Sequence, residues 1–178
     1  RRNSAYSSFY LYDQEKLIRD IQRLEQDKRK VIIWGVSFAL LDLAEKHRVD
    51  LSAATIIETG GMKGRRKEIT RAELHDILGT ALSARKIYSE YGMTELLSQA
   101  YTSGASEFAC PPWMKVLVRE LSDPLEKGII GETGGVNVID LANFQSIAFI
   151  ETEDLGKAYT NGTFEVLGRM DNSDIRGC

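Results

Sequence analysis

Cysteine is scarce: the 178 residues contain two, Cys110 and Cys178. Two thiols cannot build a disulfide framework, so a reducing cytoplasm is the expected compartment. Histidine is equally rare. His47 and His75 fall on predicted helices without a partner motif, and neither is assigned a catalytic role. No apolar run approaches the roughly 18 residues needed to span a bilayer, and there is no signal-peptide pattern. An excess of one charge is missing too. Lys and Arg number 23 against 26 Asp and Glu, a net charge of -3. That balance gives no reason to expect nucleic-acid binding. The basic runs Lys28-Arg29-Lys30 and Lys63-Gly64-Arg65-Arg66-Lys67 are short and read as solvated surface. Internal repeats and low-complexity segments are absent as well.

What is present fits a globular chain with a real core, as one domain or two small subdomains: 43% hydrophobic and 28% charged residues. The chain opens Arg1-Arg2-Asn3 and stops at Cys178 directly after a motif. It is therefore expected to be a piece of a longer protein.

Apolar residues at Leu17, Ile18, Ile21 and Leu24 predict a helix over 13–25 with Asp13 as N-cap. Val31 to Trp34 reads as a short buried strand ended by Gly35. Ser37 is a candidate cap for a helix running to about Lys46. A second strand, Ala53 to Glu58, stops at Thr59-Gly60-Gly61. Thr70 and Glu73 have the spacing of a capping box before a helix through Leu82. Lys86 to Glu90 is a third strand. This alternation predicts a parallel α/β layer over 1–112, whose ligands sit beyond the carboxyl ends of the strands. Gly35, Gly60-Gly61 and Tyr91-Gly92 all lie at such ends and should meet in one crevice. After Cys110-Pro111-Pro112 the texture changes. Trp113 to Glu120 alternates, with Met114, Val116 and Val118 on one face. Gly128 to Ile139 reads as a glycine-punctuated strand pair, and 146–150 and 163–167 as further strands. A small, mostly antiparallel β-subdomain is expected over 113–178.

The densest chemistry lies in Tyr91-Gly92-Met93-Thr94-Glu95. Tyr can stack on a base, Thr can hydrogen-bond a phosphate, and Glu can hold the accompanying Mg2+. Two later segments carry matching groups. Asp154, in Thr152-Glu153-Asp154-Leu155-Gly156, is expected in a loop after the strand that ends at Ile150. Its carboxylate suits two vicinal ribose hydroxyls. Arg169, in Gly168-Arg169-Met170-Asp171, follows fifteen positions later with a donor fork.

In order and spacing these segments resemble the adenylate-forming superfamily, the acyl-CoA synthetases and their relatives. The chain is expected to be the C-terminal half of the large domain of such an enzyme. The resemblance implies that Gly60 and Gly61 line the adenine and Tyr91 packs on it. It also implies that Thr94 contacts the α-phosphate, Glu95 binds Mg2+, and Asp154 and Arg169 hold the ribose. ATP and AMP are then the nucleotides. The family's usual Thr-Gly-Asp reads Thr152-Glu153-Asp154 here. The family's Ser/Thr/Gly-rich phosphate loop with its lysine is not found, and is expected upstream of Arg1. Neither is its small C-terminal domain.

Gly35-Val36-Ser37-Phe38-Ala39-Leu40-Leu41, Ser98-Gln99-Ala100-Tyr101, Pro112-Trp113-Met114 and Asp174-Ile175-Arg176-Gly177-Cys178 are similar to the acyl-protein synthetases. These are the fatty-acid-activating components of the bioluminescence reductase complex and their homologues. That branch implies a fatty acyl substrate and transfer of the acyl group to a cysteine near the C-terminus. It also admits an acyl-accepting partner protein. Cys178 stands where such a cysteine could be, next to Arg176, which could lower its pKa; it could also be an ordinary cysteine. Cys110 is read as structural. Two other readings stay open: an acyl-CoA ligase of the phenylacetate type, and a non-catalytic nucleotide-binding or interaction protein.

Overall fold

The computed structural model describes residues 6–62, 64–102, 106–123 and 125–170. Helix α1 spans Gln14–Gln26, and Asp13 caps it by accepting the Lys16 amide. Strand β1 (Ile32–Val36) leads directly into α2 (Ser37–Lys46). Strand β2 (Thr55–Thr59) is followed by α3 (Arg71–Leu82) and β3 (Lys86–Tyr91). The Thr70–Glu73 capping box forms in full, satisfying two amide donors at the start of α3. β1, β2 and β3 pair in parallel, with Gly35 opposite Glu58 and Thr59 opposite Glu90. Leu40, Leu41, Leu74, Leu78 and Leu82 of the helices pack on Ile33 and Ile56 of this sheet.

From β3 onward every pairing is antiparallel. Two very short strands, β4 (Ala100–Thr102) and β5 (Phe108–Ala109), carry the sheet across to the second half. There β6 (Met114–Arg119), β7 (Gly134–Asp140), β8 (Phe149–Ala158) and β9 (Thr163–Arg169) form a meander. Among the described residues one nine-stranded sheet results, in the order β1-β2-β3-β4-β5-β9-β8-β7-β6. Met114, Val116 and Val118 of β6 all turn inward, as their alternation predicts. A second apolar cluster joins Tyr91, Phe108, Val136, Val138 and Phe164 beneath this half.

Three local expectations are corrected. Glycine does not end β1, which continues through Gly35 to Val36. The region 128–139 holds one strand, β7, not a pair. Gly128 only returns a backbone bond to Val118, and Lys127 makes an isolated bridge to Arg119. Residues 149–158 form one ten-residue strand, so Asp154 lies inside β8 and not in a loop after Ile150. The strand persists because β7 and β9 flank it on both sides, and register shifts near Gly135 and Leu155 absorb its irregularity.

Candidate functional site

Gly60 follows β2 with a φ of +67°, a region where a side chain is strained. The turn it makes is tied down from α2. Ser37 Oγ lies 2.6 Å from the Gly60 carbonyl and 2.9 Å from Glu58 Oε2, so its one proton serves two acceptors. Ser37 is therefore the first residue of α2 and a tether for the glycine loop, not the helix cap expected of it. Glu58 is buried although ionisable. His75 Nε2 faces it at 3.7 Å and approaches Ser89 Oγ at 3.3 Å. Burial alone would raise the Glu58 carboxyl. Hydrogen bonds from His75, Ser89 and Ser37 outweigh that and hold it below its ordinary value. The sequence reading missed this network. Its one signal was an acid in phase with Ile56 on the inward face of a strand.

Tyr91 closes β3. Its hydroxyl donates to Asp154 Oδ2 at 2.8 Å, across a separation of 63 residues. The ring is 8% exposed, packed at 5.9 Å from Phe108 and 5.3 Å from Phe164. Burial, and then the charge of Asp154, push the phenol above its ordinary value, so it stays a neutral donor. In this conformation the ring offers almost no open face to a base. Stacking on adenine would require the side chain to swing out and release Asp154.

Asp154 is fixed by its strand neighbours. Its amide donates to Thr152 Oγ1, and Thr152 Oγ1 in turn donates to the Val136 carbonyl. Arg119, itself buried, donates to the Thr152 and Val136 carbonyls. Gly135 makes room for it: a Cβ there would sit 2.5 Å from Arg119 Cζ. Arg169 pairs with Asp154 in the β8–β9 register. Its guanidinium reaches the exposed Glu153 carboxylate. Glu153, next to Asp154, thus meets the arginine of the later motif.

Thr94 and Glu95 lie exposed on a turn closed by the Leu96 amide and the Met93 carbonyl. Among the described residues no three His, Cys, Asp or Glu side chains cluster as a metal cage. A lone open carboxylate nevertheless suits Mg2+, which commonly takes one or two carboxylates plus phosphate oxygens and water. Beside the turn lies an open hollow of about 410 Å³, lined by Leu97, Gln99, Tyr101, Cys110, Pro111 and Trp113 among others. Burial pushes the Cys110 thiol up to about 11, which leaves it protonated and unreactive near neutral pH. Cys178 and Arg176 lie outside the described residues.

The fold thus joins Tyr91 to Asp154 directly and sets Arg169 beside Asp154. The Thr59–Glu90 pairing and a 3.0 Å bond from Thr59 Oγ1 to Glu90 keep the Gly60 turn next to the end of β3. No family model and no curated protein matches this sequence. Solved structures do. ATP-bound MatB from Rhodopseudomonas palustris aligns with a TM-score of 0.67 at 17% identity, over 91% of this chain and 34% of that one. The o-succinylbenzoate coenzyme A synthetase MenE from Bacillus subtilis, in complex with AMP, aligns at 0.60 and 18%, over 89% and 34%. The amide bond synthetase McbA from Marinactinospora thermotolerans aligns at 0.63 and 15%, over 90% and 35%. The chain therefore shares the fold of part of these structures. It spans about a third of the length of the structures it matches. No helix among the described residues is long and apolar enough to cross a membrane.

Proposed function

We propose that this chain is the nucleotide-holding part of a cytoplasmic enzyme that activates a carboxylic acid with ATP. One observation carries the reading: the Tyr91 hydroxyl meets Asp154 at 2.8 Å. Two segments far apart in the chain, each suited to a nucleotide, thereby come together at the carboxyl end of a parallel strand, where such sheets take ligands. The fold shared with ATP-bound MatB and AMP-bound MenE supports it. In this reading an acid oxygen attacks the α-phosphorus, pyrophosphate leaves, and acyl-AMP remains. Gly60 and Gly61 border the adenine, Tyr91 packs on it once swung out, and Asp154 and Arg169 take the ribose hydroxyls. Thr94 donates to the α-phosphate. Glu95 would hold Mg2+, which when bound offsets the phosphate charge. Division into an α/β part over 1–112 and a β-rich part over 113–178 belongs to the same proposal.

Glu95→Gln tests the metal role. It keeps size but removes the charge that a hard cation prefers. In the natural full-length protein, half-maximal acid-dependent pyrophosphate exchange is expected to need about ten times more Mg2+. An unchanged Mg2+ requirement means Glu95 is not the ligand.

We further propose a fatty acid as substrate and the Cys178 thiol as acyl acceptor, as in an acyl-protein synthetase. The thiolate attacks the acyl carbon, AMP leaves, and a thioester forms. An acyl-accepting partner protein could then take the group. Cys178→Ser is expected to spare acyl-AMP formation and abolish the stable acyl-protein, because a serine hydroxyl is a far poorer nucleophile without a dedicated base. Radiolabelled fatty acid, ATP and denaturing gels with and without hydroxylamine check this. Hydroxylamine-labile label on the serine variant would mean that another group is the acceptor. The acyl-CoA ligase reading has its own support in the likeness to MenE, a coenzyme A synthetase. It predicts that acyl transfer follows added coenzyme A and ignores Cys178.

A further inference from the structure

Asp140 ends β7, and its side chain is wholly buried. Nothing in the sequence pattern marks it. Its Oδ2 accepts both the Leu97 and the Ser98 amides at 2.9 Å. Its Oδ1 accepts the Ser98 hydroxyl at 2.6 Å and the Ala142 amide at 3.1 Å. Three of these four donors belong to the segment that directly follows Thr94 and Glu95. Three residues further on, Asn143 Nδ2 donates to the Glu95 carbonyl at 2.7 Å. Ser98 is held from the other side as well, since Trp113 Nε1 donates to its hydroxyl oxygen at 2.9 Å. The end of β7 and the turn after it therefore grip the backbone of the Thr94–Glu95 loop. The two side chains of that loop are left exposed.

A buried carboxylate is costly unless donors meet it. A carboxylate this deeply buried must be matched by donors, and here each oxygen has two. Burial alone would raise the Asp140 carboxyl; the Ser98 hydroxyl and the Ser98, Leu97 and Ala142 amides outweigh it and hold the group below its ordinary value. It stays ionised near neutral pH and accepts from every side. The clamp also ties the connection between β3 and β4 to the end of β7, 43 residues later.

We propose that Asp140, seconded by Asn143, is a positioning residue that sets the Thr94–Glu95 loop to receive a nucleoside triphosphate with its divalent cation. This rests on the nucleotide reading above. A phosphate-binding hydroxyl and a cation-binding carboxylate work only if their backbone is held before the ligand arrives, since loop ordering otherwise subtracts from binding. Asp140 and Asn143 touch no ligand. They act through Leu97, Ser98 and the Glu95 carbonyl.

Asp140→Asn tests the clamp with little change of volume. Either orientation of the new amide turns an NH2 group toward two donors. In the natural full-length protein, hydrogen exchange of the Leu97 and Ser98 amides is expected to quicken by about tenfold or more, with the α3 amides unchanged. The Mg2+ needed for half-maximal acid-dependent pyrophosphate exchange is expected to rise about fivefold, with the KM for the acid unchanged. Asn143→Ala removes only the bond to Glu95 and its own Ser146 contact. It should give the same pattern at about threefold, and it decides the matter if the Asp140 variant does not fold. Unchanged exchange at Leu97 and Ser98 overturns the clamp. Faster exchange with an unchanged Mg2+ requirement overturns its positioning role. A wild-type protein without pyrophosphate exchange overturns the functional reading alone, and the amide measurement then decides the clamp by itself.

Discussion

Asp154→Asn in the natural full-length protein is expected to weaken AMP binding on the order of 10- to 100-fold. A carboxylate offers two acceptor oxygens to vicinal hydroxyls; the amide offers one and turns a donor toward the other. Hydrogen bonds to a charged group contribute about 1.5–3 kcal/mol each, which is the size of the expected loss. The fold should survive, because the Tyr91 hydroxyl can still donate to the remaining oxygen. Tyr91→Phe separates the two partners. The phenol donates to Asp154 Oδ2. Its removal frees that oxygen for ribose, so AMP affinity should stay within about threefold of wild type, while stability falls by about 1 kcal/mol. Calorimetric titration with AMP reads both variants. If Tyr91→Phe costs as much affinity as Asp154→Asn, the phenol itself meets the nucleotide. If Asp154→Asn binds normally, the ribose assignment is wrong.

Phe164→Ala should be the most destabilising single change in this half of the molecule. The side chain is fully buried. It stacks on Phe108 at 5.3 Å and meets the Tyr91 ring edge-on at 5.3 Å. It also sits where β9 pairs with β5, a strand of two residues. Among the described residues, the parallel and antiparallel parts of the sheet are joined through β4 and β5 in the strand order. A seam with so few ladder bonds depends on packing. Truncating a buried Phe costs about 3–5 kcal/mol through lost transfer energy and the cavity left behind. For a chain of this size that corresponds to a fall in Tm of about 10 °C. Urea titration should show the loss as a lower midpoint with an unchanged slope. A cost below about 1 kcal/mol would mean that the seam collapses around the gap, or is not packed as described.

Much of the first half was readable because its signals are local. The Thr70–Glu73 box, the Asp13 cap and the helical stripes each depend on residues three or four apart, and all three form as expected. The strands of the second half were harder. Period-2 alternation marked β6, where one face is buried. It failed for β8, whose outward face carries Glu151 and Glu153 and whose ladder is irregular. A run of acids bounded by glycine looks like a loop when nothing indicates that partners lie on both sides. Ser37 misled for a related reason. Its position suited a cap, but a buried carboxylate and the Gly60 carbonyl compete for the same hydroxyl.

The sequence by itself determined the α/β alternation, the strand ends that carry Gly60 and Tyr91, and the ordered set of nucleotide-type groups. Those features are written in short-range periodicity and in residue chemistry. Only the tertiary structure decided that Tyr91 is buried and bonded to Asp154, that Glu58 sits among Ser37, His75 and Ser89, and that Asp140 holds the Thr94–Glu95 loop. Each of these joins residues from separate strands and helices, and which of them meet depends on strand order and register. A buried acid becomes stable only once that order brings its donors to it, so no local pattern could have announced it.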